Sequence, residues 1–234
     1  MRQSKGMNRA PRTVASALLG VLAVLLASTG CISISSPDPN AASGPPPSYL
    51  ERLKAAQAVE PTASAAKTLA EGVSGFAVAD RGIACVLTDS RNGHVNTPFE
   101  PNNFADAANQ PQPVIPVVLC ELAKYPAPRA EDIRDDCGGT GIGYLGGVAQ
   151  LAPDGAVYGA CRAGLTGIEA SGDDASSSKK LLAGLPVLAE GSALDAKGYR
   201  CAPMDSGVAC ANLGNGAGFF VAQDKYQLFG GKQQ

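Results

Sequence analysis

Ile83-Ala-Cys85-Val-Leu87 and Val118-Leu-Cys120-Glu-Leu122, then Tyr199-Arg-Cys201-Ala202 and Val208-Ala-Cys210-Ala211, are four short apolar runs with a cysteine inside each. Valine, isoleucine and aromatic residues in runs of this length read as strands. Between the two sets, Asp136-Cys137-Gly138 and Gly159-Ala-Cys161-Arg162 bracket a glycine-rich stretch with strand signals of its own. Each pair reads as two strands joined by a turn, cysteine opposite cysteine. Six cysteines admit fifteen pairings, and this recurrence selects the sequential one: Cys85 with Cys120, Cys137 with Cys161, Cys201 with Cys210. A bridge closing 15 residues contributes ~3 kcal/mol in the chain-entropy model, which matters in a chain with no tryptophan and few aromatic residues.

Working outward, strand signals dominate from Val73. Gly75-Phe-Ala-Val-Ala79 and Ile83 to Leu87 flank a turn at Asp80-Arg-Gly82. Val114 to Leu122 reads as a strand interrupted by Pro116, and Tyr125 to Asp136 as a loop or short helix. Gly147 to Leu151 and Ala156 to Cys161 form a hairpin about Pro153-Asp-Gly155. Leu185-Pro-Val-Leu188, Gly198 to Cys201, Gly207 to Ala211 and Gly218 to Ala222 continue the series. Short strands with glycine turns at this density predict a mainly β fold, a single disulfide-stapled antiparallel domain over residues 73–232. The proline-rich loop from Asn92 to Pro116 carries Phe99 and Phe104 on otherwise polar sequence. Long loops of this kind are often binding elements, so these two are the candidate binding residues.

Upstream the texture changes. Tyr49 to Gly72 is alanine-rich and compatible with short helices broken at Pro61, or with more tether. Ser33 to Ser48, with Ser-Pro-Asp-Pro-Asn and Gly-Pro-Pro-Pro-Ser, reads as a flexible spacer. Residues 31–72 are therefore expected to be tether, flexible and partly helical. Before them, Arg2, Lys5, Arg9 and Arg12 precede the apolar run Val14 to Ala27 and the small residues Ser28-Thr-Gly-Cys31. A positive start, a short apolar stretch and small residues before a cleavage point are an export signal. The run is too short for the ~20 residues a membrane-spanning helix needs. Thr29-Gly30-Cys31 resembles the bacterial lipobox, although Ser28 stands where an aliphatic residue is usual. The resemblance implies a signal peptide over residues 1–30 and lipidation of the Cys31 thiol. The expected location is the cell membrane, lipid-anchored at its extracytoplasmic face.

Cysteine usage agrees with that address. Setting Cys31 aside leaves an even six in an exported chain, the mark of a disulfide framework. Zinc needs close cysteine pairs or histidines. Here the shortest gap is the eight residues between Cys201 and Cys210, and His94 is the only histidine, so no metal site is expected. The whole chain carries a formal charge of −2, and the four basic residues of the leader, unopposed by acid, leave −6 for the rest. An acidic chain without basic clusters is a poor nucleic-acid ligand. No basic run favours an anionic bilayer either, so membrane contact is expected through the lipid alone.

The tail Gly198-Tyr-Arg-Cys201, Ser206-Gly-Val-Ala-Cys210-Ala-Asn212, Gly216-Ala-Gly-Phe-Phe220 and Asp224-Lys-Tyr226-Gln-Leu-Phe229 resembles the closing signature of a family of uncharacterised exported actinobacterial proteins. Members follow a cysteine with Gly-Val-x-Cys, an asparagine, Gly-x-Gly-Phe and Tyr-x-x-Phe. Asp80-Arg-Gly-Ile-Ala-Cys85 resembles the family's opening strand, and the matches bracket residues 75–230. Ala217 departs from a position where the family often has histidine. The resemblance implies a Cys-rich β domain outside the cytoplasm and assigns no activity or ligand.

Catalytic patterns are sparse. A Ser-His-Asp triad would have to use His94 in Arg91-Asn-Gly-His-Val-Asn96, and no Gly-x-Ser-x-Gly elbow occurs. Glu100, Asp106, Glu121, Glu131, Asp132, Asp135 and Asp136 could supply a carboxylate pair for glycan hydrolysis. Gly141-Ile-Gly143-Tyr-Leu-Gly146 matches the dinucleotide fingerprint but lacks the strand before and helix after that phosphate binding requires; these glycines read as turns or close backbone approaches. Without C-x-x-C, no thiol redox role is indicated. The sequence therefore predicts no catalytic residue, cofactor or nucleotide. It points to a non-catalytic binding or accessory ectodomain with an envelope protein or glycan as partner, the alternative being a glycan-active enzyme using a carboxylate pair.

Overall fold

Alternation along the cysteine-bearing runs directs the sulfurs into the space between two sheets. The computed structural model describes residues 45–59, 69, 72–91, 112–139, 141–172 and 177–231. Among them, a five-stranded sheet runs β2 (Ser74–Ala77), β3 (Ile83–Arg91), β4 (Val114–Leu122), β5 (Gly143–Ala152) and β6 (Gly155–Arg162), each antiparallel to the next. A six-stranded sheet runs β1 (Gln57–Val59), β7 (Ser192–Ala196), β8 (Tyr199–Met204), β9 (Gly207–Asn212), β10 (Gly218–Ala222) and β11 (Tyr226–Phe229). Only β1, parallel to β7, departs from antiparallel order in this second sheet. The mainly β, disulfide-stapled class expected from the sequence is the class of the fold.

Period-two alternation assigns the layers. Ile83, Cys85 and Leu87 of β3, Val118, Cys120 and Leu122 of β4, and Cys201, Val208, Cys210, Phe219 and Val221 from the second sheet share the central core. Their neighbours point the other way. Ala84, Val86 and Leu119 pack with Ile168 of α2 (Gly167–Ala170) and Leu182 of α3 (Ser177–Gly184). Ala202, Ala209, Ala211 and Phe220 pack under α1 (Tyr49–Ala55). The result is four layers: helix, six-stranded sheet, five-stranded sheet, helix pair.

Turn chemistry sets the register on which cysteines meet. Asp205 and Ser206, joining β8 to β9, have φ of 50 and 59°, and Lys197 and Gly198, joining β7 to β8, have 56 and 84°. Two left-handed residues in a two-residue loop make a type I′ turn, whose twist matches that of the strands. Counting back from the pair Met204 and Gly207 brings Cys201 opposite Cys210. Their Cα atoms are 4.1 Å apart and bridged. Cys85 and Cys120 are likewise direct partners, bridged with Cα atoms 4.1 Å apart. The third bridge, Cys137 to Cys161, ties the loop before β5 to β6 with Cα atoms 5.4 Å apart.

Pro116 does not interrupt β4, which pairs with β3 along its whole length. The short Cα separation at Cys85 and Cys120 marks a non-hydrogen-bonded pair, so Pro116, four residues earlier, is also in one, opposite Asp89. Its missing N–H therefore points toward β5, which pairs only with Val118 to Glu121. No ladder bond is lost there.

The ordered domain begins before residue 73, correcting the boundary expected between tether and domain. Ser48 caps α1 through a capping box with Glu51, Leu53 is completely buried, and the Tyr49 ring stacks on Phe220 at 4.2 Å. Arg52 forks onto both carboxylate oxygens of Asp205 at 2.5 and 2.8 Å, and β1 then joins β7. Burying Leu53, at roughly 1.5 to 3 kcal/mol for a large apolar side chain, and half-burying Tyr49 offset the ordering of this short segment. Alanine-rich composition hid it, because few of its residues are large. Leu185 to Leu188, read as a strand, instead lies along β2 as a short bridge. Ala77 N–H donates to Pro186 O at 2.9 Å, and Leu188 N–H to Ala77 O at 3.0 Å.

On the opposite flank, Tyr226 of β11 stacks on Tyr158 of β6 at 3.9 Å. The Tyr226 hydroxyl donates to Asp132 at 2.5 Å and accepts the Arg129 backbone N–H at 2.7 Å. It thus holds the loop between β4 and β5. Tyr226→Phe removes these bonds, together with the longer one from Arg129 Nε at 3.3 Å, and should lower stability by about 1 to 2 kcal/mol, read as a shift in urea midpoint with unchanged slope. An unchanged midpoint would show that the loop is held by other contacts.

Candidate functional site

Of the sequence's candidate carboxylates among the described residues, Glu121 is the one that the fold buries. It lies on the outer face of β4, between its register partners Ala84 and Val148, and is 5% exposed. The backbone N–H of Ile168 donates to its Oε2 at 2.9 Å. Burial pushes its pKa up to about 7, against the lowering effect of the Ile168 and Gly167 N–H groups and of the Arg162 charge, while neighbouring Glu169 adds to the rise. The carboxyl is thus half protonated near neutrality.

Beside it stands a polar array centred on Arg162. Arg162 of β6 donates from Nη1 to Glu169 Oε2 at 2.8 Å and Gly164 O at 2.7 Å. Its Nη2 donates to the Tyr125 hydroxyl at 2.8 Å and Gly146 O at 2.9 Å. The Tyr125 hydroxyl donates to Glu169 Oε1 at 2.6 Å. Thr166 caps α2, accepting from Glu169 N–H at 3.3 Å, while its own N–H donates to Glu169 Oε2 at 2.7 Å. Burial alone would raise the Glu169 pKa, but bonds from Tyr125, Thr166 and Arg162 hold it below the usual value. Two neighbouring carboxyls are therefore driven apart, one toward a neutral acid and one toward a fixed anion. Chemically, the array can hold or release a proton at Glu121 beside a standing ion pair.

Arg162, Glu169, Tyr125 and Thr166 were not singled out in the sequence. Thr166-Gly-Ile-Glu169 is a capping-box pattern and was a legible signal for α2; nothing local marked Arg162 or Tyr125. Other sequence candidates go elsewhere. Asp132 serves Tyr226, and Glu131 sits 3.5 Å from Arg129. Asp135 accepts the Cys137 N–H at 2.7 Å and Asp136 the Gly138 N–H at 2.9 Å, shaping the turn at the third bridge. Cys31, His94, Phe99, Glu100, Phe104 and Asp106 lie outside the described residues. The glycine motif runs into β5, where a Cβ at Gly146 would stand 2.5 Å from Pro126 O and 2.8 Å from the Tyr158 hydroxyl. Its last glycine makes room for a close backbone approach at the β5 bulge.

The second chemical concentration is sulfur. Cys85, Cys120, Cys201 and Cys210 are completely buried, and Sγ of Cys120 and Cys210, from opposite sheets, are 3.9 Å apart. With Cys85, these sulfurs all lie within 4.8 Å of one another.

Fold and sites together define a four-layer, disulfide-stapled β sandwich with a buried acid under its helix pair. No family model, curated protein or solved structure matches the chain.

Proposed function

We propose that the chain is an exported protein, held by lipid on Cys31 at the extracytoplasmic face of the cell membrane. Its sandwich acts as a binding or accessory module toward an envelope protein or glycan. One observation carries the reading: all six cysteines beyond Cys31 are paired in bridges, a state that oxidising compartments maintain and the cytosol does not. The leader before Cys31 and the resemblance to exported actinobacterial proteins point the same way. Cys31→Ala should move the protein from the membrane fraction to the soluble extracytoplasmic fraction, followed by immunoblotting. Retention in membranes overturns lipid anchoring. Purification of the lipidated protein in mild detergent then tests the partner, a stoichiometric envelope component being the expected result.

A glycan-active enzyme is the second reading, favoured by the divergent protonation of Glu121 and Glu169. Against it, both carboxyls accept backbone N–H groups around the first turn of α2. Release of soluble fragments from cell wall by wild type, and none by Glu121→Gln, would establish it.

A further inference from the structure

We propose that Cys85, Cys120, Cys201 and Cys210 form one thiol–disulfide exchange unit with a second stable pairing, a cross-sheet Cys120–Cys210 bond. Each native bridge joins neighbouring strands within its own sheet. Neither ties the sheets to each other. Yet Cys120 and Cys210 Sγ face one another across the core at 3.9 Å, and need close by only about 1.9 Å to reach a bond length of about 2.05 Å. Local opening exposes the first bridge to a reductant, here a small dithiol or a dithiol protein.

The dithiol reduces Cys85–Cys120 and is itself oxidised to a disulfide, leaving two thiols on the chain. Cys120 thiolate then attacks Cys210 Sγ. The Cys210–Cys201 bond breaks, the Cys120–Cys210 bond forms, and Cys201 leaves as a thiolate that takes up the proton Cys120 gave. The second step is redox-neutral. Reduction entering at Cys201–Cys210 leads by the mirror step to the same product, with Cys85 as the leaving thiolate. In that mirror step attack requires near-linear approach along the Cys120–Cys85 bond, and Cys210, within 4.8 Å of both bridged sulfurs, stands side-on to it, so a χ1 rotation must accompany the step. Breaking the Cys201–Cys210 bridge frees that rotation. The burial that keeps bulk thiols out also excludes competing reagents, leaving Cys210 as the nearest electrophile to Cys120. Loss of one staple is thereby converted into a covalent tie between the sheets.

Two measurements test this. The double variant Cys85→Ser, Cys201→Ser, exported to an oxidising compartment, should carry a Cys120–Cys210 disulfide in peptide mapping, with neither thiol alkylated under denaturing conditions. A folded variant in which both thiols are alkylated overturns the proposal. Because that variant can fail to fold, wild type is also titrated with dithiothreitol, quenched by alkylation and mapped. Partly reduced molecules should show the Cys120–Cys210 link with Cys85 and Cys201 alkylated. Alkylation only in native pairs, Cys85 with Cys120 or Cys201 with Cys210, overturns it.

Discussion

Complete reduction should unfold the domain at ambient temperature. The bridges close sequence separations of 35, 24 and 9 residues. Chain entropy assigns these about 4, 3.5 and 2.6 kcal/mol, on the order of 10 kcal/mol together. Whole domains are stable by only about 5 to 15 kcal/mol, so the staples account for much of what separates folded from unfolded. Circular dichroism melts with and without a phosphine reductant check this. A cooperative transition should be present in the oxidised sample and absent from the reduced one. A reduced protein that melts within a few degrees of the oxidised one would sink the argument and place the stability in apolar packing.

Glu121→Gln should stabilise the protein at alkaline pH and leave it nearly unchanged under acid conditions. The carboxyl titrates at about 7 in the folded chain against 4.5 ordinarily. Between those values the native state binds more protons than the unfolded state, so stability falls as pH rises through this window. At pH 8 the full difference acts, about 3 kcal/mol. Below pH 4.5 both states hold the proton and nothing is lost. Glutamine keeps an oxygen for the Ile168 N–H but carries no charge to bury. Urea unfolding on both sides of the window reads the difference directly. An equal change at both pH values would show that the effect is packing and not ionisation.

The cysteine-bearing strands and their turns were legible because alternation and cysteine recurrence are local properties. By contrast, β1, β7 and β11 carried no such mark, and Leu185 to Leu188 carried it without forming a full strand. Cys201 and Cys210 are close enough in sequence for one turn to decide their pairing. The limit of the domain was not legible, since α1 is held by Tyr49 and Leu53 against distant strands and by Arg52 reaching Asp205. Glu121 shows the same limit at the site. In sequence it is one polar residue in an apolar strand, and only the arrival of α2 decides whether it is solvated or buried. Tyr125 and Arg162, 37 residues apart, meet through the fold alone.

The short bridge along β2 has a consequence for association with other chains. An open strand edge is a template on which another chain can add. Pro186 to Leu188 occupies the backbone groups of Ala77 on β2, while the opposite flank is closed by Tyr158 against Tyr226. Of the other sheet's two terminal strands, β1 is only three residues long and β11 only four. Each of these edges therefore offers another chain little free backbone on which to add.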